Sequence, residues 1–336
     1  MGCFCLRQII LVLEYYNMLI LYIFIFLVSC FLLAFSSRWL IGALSRIAFC
    51  LQIKEFIVAF FVMAFAASLP NLVVGITAAL KGIPELSFGD VIGGNIIDLS
   101  LVLGLGALIA KGGLKANSQT VQKSSIYTIF IAVLPLLLIA DGNLSRIDGV
   151  ILLLSFLLYV FWIFSKRENF EKVYANCPPF SIKKFIIDCL IVISGGLLLF
   201  AGAKGLVTSA SFFSSMFHLP IAIIGLLIVG LGNCMPETFF TLRAAQKGDS
   251  WMVIGDLMGG VIMCATLVLG VVSLIKPIII TNFSPFAAAR VFMIISALFF
   301  LFSVRTGQKI TKREGTILVF IYVFYLINFN DADTKI

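Results

Sequence analysis

The chain has 336 residues, of which 61% are hydrophobic and only 12% are charged, and its mean hydropathy is +1.14. Soluble domains carry about 25% charged residues, so this composition excludes soluble enzymes and nucleic-acid-binding proteins. A transmembrane helix needs about 20 apolar residues, which leaves room for roughly ten spans and short loops. The net charge of +8 fits the basic bias that orients membrane proteins. We therefore expect a lipid bilayer around the chain, and neither a nucleic acid nor a required protein partner.

Uncharged stretches with charged flanks predict ten transmembrane helices. The first five are predicted near 18–37, 56–80, 90–110, 124–140 and 148–165. The other five are predicted near 185–203, 219–246, 251–275, 286–304 and 315–330. The fold class is accordingly an all-α polytopic membrane protein.

The segments outside these helices divide the chain into two halves. The predicted divisions are a leader at 1–17, a first repeat at 18–166, a polar connector at 167–184, a second repeat at 185–330 and a tail at 331–336. The connector contains Pro178-Pro179, a pair that is typical of a linker.

The two halves repeat each other in sequence. A shift of 166 residues places Pro70 on Pro236, Lys81-Gly82 on Lys247-Gly248, Gly89-Asp90 on Gly255-Asp256, and Gly93-Gly94 on Gly259-Gly260. Matched Pro, Lys, Gly and Asp are hard to obtain by chance, so the sequence predicts an internal duplication. The paired glycines would let helices approach closely.

An odd number of spans in each half predicts that the second copy is inverted in the membrane. Inverted repeats are a device of secondary transporters, whose sites lie near the midplane where the copies meet. Most of the 24 basic residues follow odd-numbered spans, which predicts that those loops are cytoplasmic. We therefore expect an integral plasma-membrane protein with both termini outside.

Four acidic residues lie in or at the edge of predicted spans, where ionisable groups are expensive and mark functional sites. Asp98 and Glu237 are the deepest, and Asp90 and Asp256 begin the spans that follow the two prolines. Asp90 and Asp98 share a helix face with Gly94, because the three are four residues apart. Acidic groups in a membrane cavity suit a cation. Asp90 and Asp256 could instead be simple helix caps.

The matched prolines add backbone oxygens to this set. Proline has no N–H, so Pro70 and Pro236 leave the carbonyls of Ala66 and Gly232 without their helical donors. Unpaired backbone in a membrane is tolerated where it lines a protein cavity. Calcium takes 6–8 oxygen ligands in flexible geometry, so these carbonyls and the nearby acids predict a site for a hard cation. The alternative is a pair of kinks that serve packing alone.

Two sequence stretches in each half resemble the α-repeats of the sodium/calcium exchanger family, the calcium:cation antiporters. The stretches are Ala66-Ala-Ser-Leu-Pro-Asn71 with Gly89-Asp-Val-Ile-Gly-Gly-Asn-Ile-Ile-Asp98, and Gly232-Asn-Cys-Met-Pro-Glu237 with Gly255-Asp-Leu-Met-Gly-Gly-Val-Ile-Met-Cys264. The family motifs read G-T-S-x-P-E and G-N-x-x-G-S-N-I-x-N/D. The resemblance implies exchange of Ca²⁺ for Na⁺ or H⁺ as the transported cations, with no cofactor.

The resemblance also implies a ligand set for this chain. The family's two glutamates correspond to Asn71 and Glu237, and its second-helix ligands correspond to Asp98 and Cys264. Its hydroxyl positions correspond to Ala67-Ser68, Asn233-Cys234, Gly94 and Gly260. The full predicted metal site comprises Glu237, Asp98, Asn71, Ser68, Ala66, Gly232, Asp90, Asp256, Asn233, Cys234 and Cys264. Because several hydroxyls are missing, proton coupling is an alternative to sodium coupling.

Three other functions compete with this hypothesis. Cys234 and Cys264 would favour a softer divalent metal if they were thiolate ligands, although two small residues that fill gaps between helices are the favoured interpretation. An intramembrane aspartyl protease also needs two membrane aspartates, but neither Asp90 nor Asp256 lies in a Gly-x-Gly-Asp motif. The departures at Asn71 and Gly94 would also fit a degenerate repeat protein that has lost transport.

Overall fold

The computed structural model describes residues 2–50, 63–165, 182–280 and 286–333. Within these ranges the chain forms ten helical segments, three of which contain a proline, at Pro70, Pro135 and Pro236. They are α1 (Gly2–Cys50), α2 (Met63–Leu80), α3 (Glu85–Ile109), α4 (Gln119–Leu138), α5 (Arg146–Ser165), α6 (Ile182–Phe217), α7 (Ile221–Lys247), α8 (Ser250–Ile275), α9 (Phe286–Thr306) and α10 (Lys312–Asp333). All except α2 and α10 contain a stretch long and apolar enough to cross a membrane.

Several helix bounds differ from those predicted. Helix α6 continues to Phe217 instead of ending near 203, because no proline or charge cluster interrupts its apolar sequence. Helix α1 is continuous from Gly2, so the predicted leader at 1–17 and the first span form one helix. The connector predicted at 167–184 lies outside the described residues as far as 181, and its last three residues are helical rather than linker.

Two short antiparallel sheets link the two repeats. Strand β1 (Leu114–Lys115) pairs with β4 (Lys309–Ile310), and β2 (Asn143–Leu144) pairs with β3 (Ile278–Ile279). Strands β1 and β2 belong to the first repeat, and β3 and β4 belong to the second, so each sheet combines one strand from each repeat. The shift of 166 residues carries β2 onto β4. Because successive spans alternate in direction, the sheets lie at opposite ends of the bundle. We name the β1–β4 end face A and the β2–β3 end face B.

The central helices of the two repeats share a local irregularity. A π-helical turn covers Asp98–Val102 in α3 and Met263–Val268 in α8, and each turn is followed by seven α-helical residues. In their most apolar stretches, α3 and α8 each have 72% of residues buried, against 11% in α1 and 22% in α6. Helices α3 and α8 therefore form the centre of the bundle, and α7 has a further π-helical turn at Gly225–Val229. Such turns are frequent at functional sites.

Glycines bring α3 of the first repeat into backbone contact with α7 of the second. A Cβ atom added at Gly89 would collide with the carbonyl oxygen of Ala222, and one at Gly93 would collide with that of Leu226. This confirms the predicted close approach at Gly93. By contrast, a Cβ added at Gly260 of α8 would meet no described atom within 4 Å outside its own stretch of helix, so this glycine of the second pair is not packed as Gly93 is.

Candidate cation-binding site

The break in α7 places Glu237 at the start of a helical piece. Helix α7 is interrupted at Cys234, and Pro236 stands in the first turn of the piece Met235–Lys247. Pro236 thus lies within α7 directly after its interruption, whereas Pro70 lies inside the uninterrupted helix α2. Proline is accepted in a first helical turn because the N–H groups there have no intrahelical partner. The positive end of the helix dipole favours an anionic side chain at Glu237.

Asp98 and Glu237 come from segments of different repeats that pack together near the centre of the bundle. Asp98 is buried and begins the π-helical turn of α3. The helical piece Met235–Lys247, which carries Glu237 in its first turn, contacts that π-helical turn. Two carboxylates that share a buried site repel each other, and a cation between them relieves that repulsion.

The repeat relates a second pair of side chains to this one. The amide nitrogen of Asn71 donates to the sulfur of Cys264 at 3.1 Å. The shift of 166 residues carries Asn71 onto Glu237 and Asp98 onto Cys264, so both pairs occupy equivalent positions. The site therefore has one acidic half and one neutral half.

Four buried side-chain oxygens of this region have no hydrogen-bond partner among the described residues. They are Asn71 Oδ1, Asp98 Oδ1, Asn233 Oδ1 and Glu237 Oε2. Burying an acceptor without a partner costs roughly 1–3 kcal/mol, and more when the group is charged. All four are hard oxygen donors of the type that calcium or sodium binds, so the set suits a cation.

Asp90 is held by an amide of the opposite repeat. The Asn233 amide nitrogen donates to both carboxylate oxygens of Asp90, at 3.0 and 2.9 Å. Helix α3 begins at Glu85, and the residue before α8 is Asp249, so neither Asp90 nor its equivalent Asp256 is a helix cap. Ala67 occupies the position equivalent to Asn233, and it has no amide to offer Asp256.

The cysteines do not assemble a soft-metal centre. The thiol of Cys234 contacts the carbonyl oxygen of Gly94 at 3.6 Å, and Cys264 accepts from Asn71. Within the described parts of the chain, no group of three or more His, Cys, Asp or Glu side chains is placed to hold a metal ion. Amide and backbone oxygens are the hard donors that would complete the shell of a cation here.

The remaining predicted ligands flank the site. Ser68 is buried on α2. The carbonyl of Ala66, predicted to lack a donor, accepts from the Ser37 hydroxyl of α1 at 3.4 Å, so that prediction is corrected. Gly232 lies against α1, where an added Cβ would meet the sulfur of Cys30 at 2.8 Å. Pro236 still deprives the Gly232 carbonyl of its helical donor.

A cavity of about 340 Å³ reaches the site from one side. Glu237 and Asp256 line it together with Ala67, and it extends to Lys247 and Asp249, which lie where α7 ends and α8 begins. This end of α7 belongs to face A, because odd-numbered spans end there. The site is therefore approached from face A.

At face B, lysine side chains join the end of α2 to α6 and to the end of α8. The Lys81 ammonium donates to the Thr208 hydroxyl at 2.5 Å, and the Lys276 ammonium donates to the Gly82 carbonyl at 2.8 Å. Burial lowers the pKa of Lys81, and the charge of Lys204 lowers it further. The backbone contact between Gly89 and Ala222 lies towards the same face.

Sequence reasoning missed several residues of the cavity. Arg38 and Ser37 on α1, and Arg243 on α7, line it with Lys247. The sequence analysis interpreted the basic residues of this set, Arg38, Arg243 and Lys247, only as determinants of membrane orientation. The equivalence of Lys247 with Lys81, next to the proline helix of each repeat, was the one available signal that this charge lies near the site.

The family comparison decides what kind of protein carries this site. Residues 21–165 and 188–329, which together cover most of the chain, match the family model described as "Sodium/calcium exchanger protein". The chain belongs to the sodium/calcium exchanger family. It is a cation antiporter and not an enzyme, so the aspartyl protease alternative is not favoured. Both repeats match the family, in agreement with the ten-helix architecture.

Individual relatives extend over nearly the full length of this exchanger-family chain. An uncharacterised membrane protein of Methanocaldococcus jannaschii is 31% identical, over 91% of this chain and 97% of its own. The sodium/calcium exchanger MaX1 of Methanosarcina acetivorans is 24% identical, over 87% and 93%. A structure of the sodium-calcium exchanger NCX_Mj, soaked with Na⁺ and Sr²⁺, has a TM-score of 0.65 and 26% identity, over 92% of this chain and 99% of that one.

Proposed function

We propose that this exchanger-family chain moves Ca²⁺, or a similar divalent cation, across a membrane in exchange for Na⁺ or H⁺. The observation that carries this proposal is the set of four buried oxygens without partners, on Asn71, Asp98, Asn233 and Glu237. They come from both repeats, and Glu237 also lines the cavity. A divalent ion would satisfy these acceptors and balance the charges of the two carboxylates.

Exchange follows from competition for the same two carboxylates. Asp98 and Glu237 can hold a divalent cation, or they can hold the monovalent ions or protons that replace it, but not both at once. The cargoes therefore take turns at the site. Bound cations or protons balance the charge of the two carboxylates in either loaded form. The loaded site can therefore change its access from one side to the other within the low-dielectric centre of the protein.

Alternating access uses the asymmetry of the two repeats. The cavity leads to face A, whereas the Asp90–Asn233 pair and the Gly89–Ala222 contact pack the α3–α7 side. Because the repeats are related by inversion, an exchange of their conformations would open face B and close face A. Each carboxylate would then release its ion to the other side.

Face A is assigned to the cytoplasm of a plasma membrane, with both termini outside, on the distribution of basic residues. Impermeant maleimide applied to whole cells should label an Arg146→Cys variant of face B above the background of the native cysteines. It should not label Lys312→Cys of face A. The opposite labelling pattern would reverse the assigned orientation without affecting the exchange proposal.

The counter-ion is tested by separate gradients. Purified protein in liposomes takes up radiolabelled calcium under an imposed sodium gradient or an imposed proton gradient, and the gradient that drives uptake identifies the counter-ion. Glu237→Gln removes a site carboxylate and should abolish uptake. Glu85→Gln, which neutralises an acid in the first turn of α3 outside the cavity, should leave uptake near the native rate. Uptake that persists in Glu237→Gln, or that ignores both gradients, contradicts the proposal.

A further inference from the structure

Asp90 of α3 and Asn233 of α7 form a buried pair beside the candidate cation site. Asp90 is 2% exposed and Asn233 is 5% exposed, so water does not compete for their polar atoms. The amide nitrogen of Asn233 donates to both carboxylate oxygens of Asp90, whereas Asn233 Oδ1 has no hydrogen-bond partner among the described residues. The donating end of this amide is therefore paired, and its oxygen is left for another ligand.

The carboxylate of Asp90 fixes which end of the Asn233 amide faces it. An ionised carboxylate only accepts hydrogen bonds, while an amide has a donating NH₂ group at one end and an accepting oxygen at the other. If the amide were turned over, its oxygen would lie against the Asp90 carboxylate. That arrangement would bury acceptors against each other without a donor, which is costly. Asp90 therefore sets the orientation of the Asn233 side chain.

This orientation matters because the two ends of an amide act on a cation in opposite ways. The carbonyl oxygen of an asparagine is a ligand that calcium accepts in protein sites. The NH₂ group is a donor without a free lone pair, and it carries the positive end of the amide dipole, so it repels a cation. Turning the Asn233 amide over would replace a ligand by a repelling group.

Asn233 lies where its oxygen can join the other candidate ligands. Asp90 and Asp98 are two turns apart on one face of α3. Asn233 is paired with Asp90, and the helical piece that carries Glu237 contacts the π-helical turn that begins at Asp98. The stretch of α7 from Asn233 to Glu237 therefore passes along the α3 segment that carries both aspartates.

A second amide of the site is oriented in the same way. The nitrogen of Asn71 donates to the sulfur of Cys264, and Asn71 Oδ1 has no partner among the residues that the structure describes. In both amides a side chain of the opposite repeat engages the NH₂ group, and the oxygen remains buried and unpaired. Packing alone does not require two unpaired oxygens, whereas a bound cation would use both.

We propose that Asp90 is a positioning residue that holds the Asn233 amide with Oδ1 towards the transported cation. The sequence analysis included Asp90 among the ligands themselves, and here it acts through Asn233 instead. This inference rests on the exchange function proposed above. It adds an uncharged ligand to the site, whose orientation is set by a charge on the opposite repeat.

Equilibrium binding of radiolabelled calcium to the purified full-length protein tests this role with two charge-matched variants. Asp90→Asn and Asp90→Leu both remove the carboxylate charge and are similar in size, but only Asp90→Asn keeps an acceptor for the Asn233 amide. Asp90→Leu should therefore bind calcium several-fold more weakly than Asp90→Asn, because its Asn233 amide is no longer held in one orientation. Equal calcium binding by the two variants would overturn the proposal.

The same comparison in the Asn233→Ala background separates positioning from direct binding. If residue 90 acts through the Asn233 amide, the difference between Asp90→Asn and Asp90→Leu should disappear there. A difference that persists would mean that residue 90 contacts the ion itself, and it would also overturn the proposal. Should Asp90→Leu fail to fold, Asp90→Ala takes its place, since it has the same charge and likewise lacks an acceptor.

The native protein tests the exchange proposal separately. If the native protein binds calcium and the two charge-matched variants bind it equally, only the positioning role of Asp90 fails. If the native protein binds neither calcium nor strontium, the exchange proposal fails, and the positioning role fails with it. The unfolding temperature without a cation provides a further check. A role in packing alone would lower it in Asp90→Leu without changing how far calcium raises it.

Discussion

Asn233 of the second repeat clamps Asp90 of the first, with its amide nitrogen 3.0 and 2.9 Å from the two carboxylate oxygens. The equivalent pair in the other half is Ala67 and Asp256, where no amide is present. The cavity opens beside the unclamped pair. The position of the opening therefore coincides with a difference between the two repeats.

Removing the Asn233 amide should destabilise the protein. Asn233→Ala leaves the buried carboxylate of Asp90 without the only side-chain donor that the described residues give it. Loss of one partner of a buried hydrogen bond costs about 1–3 kcal/mol. The free energy of unfolding in detergent should fall by that amount. In Asn233→Ala/Asp90→Asn the Asp90 carboxylate is also removed, so this double variant should recover part of the lost stability. If it recovers none, the loss does not come from an unpartnered carboxylate at Asp90.

Supplying the missing amide should favour closure of the cavity. Ala67→Asn places an amide where Asn233 stands in the other half, so Asp256 gains a donor. A maleimide should then react more slowly with Met252→Cys, because Met252 lines the cavity. Ala67→Val adds bulk without a donor and serves as the control. Equal slowing by both substitutions would attribute the effect to bulk and contradict the clamp.

The sequence was sufficient to predict the architecture because the repeat constrains it. Pro70 and Pro236, the matched glycines and the two acidic positions predicted the duplication. The pairing of β1 with β4 and of β2 with β3 shows the same relationship in space. Helix bounds were less predictable. Apolar sequence continues through residue 203 of α6 without a stop signal, so nothing in that stretch indicated the end at Phe217.

The site was only partly predictable, since its geometry depends on contacts between distant parts of the chain. The resemblance pointed to Asp98 and Glu237, and the segments that carry them pack against each other. It could not indicate that the Ala66 carbonyl bonds to Ser37, since the partner lies on another helix. Nor could the proline pattern distinguish Pro70, inside a helix, from Pro236, which begins a helical piece. The same residue type serves both backbone arrangements.

Gly93 and Gly260 should respond differently to the same substitution. Gly93→Ala forces a Cβ into the carbonyl oxygen of Leu226, a backbone atom that cannot move alone. Such overpacking costs about 1–3 kcal/mol, which should appear as a lower unfolding temperature. Gly260→Ala meets no described atom within 4 Å outside its own stretch of helix, and alanine is the better helix former. It should leave the unfolding temperature unchanged or raise it, and equal losses in both variants would contradict the close contact.

Restoring the second family glutamate should strengthen divalent binding. Asn71→Glu adds a carboxylate at the position equivalent to Glu237, beside Cys264. Without a cation the added charge should lower the unfolding temperature, while calcium should stabilise the variant more than the native protein. A tenfold gain in affinity corresponds to about 1.4 kcal/mol. Asn71→Gln keeps the amide at glutamate length, and an equal response to calcium in both variants would place residue 71 outside the site.

Arg46 and Asp188 join α1 and α6, whose most apolar stretches bury the smallest shares among the eight helices able to span a membrane. Arg46 of α1 lies 2.6 Å from the carboxylate of Asp188 on α6, and the side chains are 55% and 6% exposed. Arg46→Gln leaves a buried carboxylate without its cation, whereas Asp188→Asn leaves an arginine that can still reach water. Arg46→Gln should therefore cost more, about 1–3 kcal/mol given the exposure of the arginine. The double variant should cost less than the sum of the two single ones, because the unpaired carboxylate is absent. Thermal unfolding of the four proteins measures this coupling, and strict additivity would show that the ion pair does not hold α1 against α6.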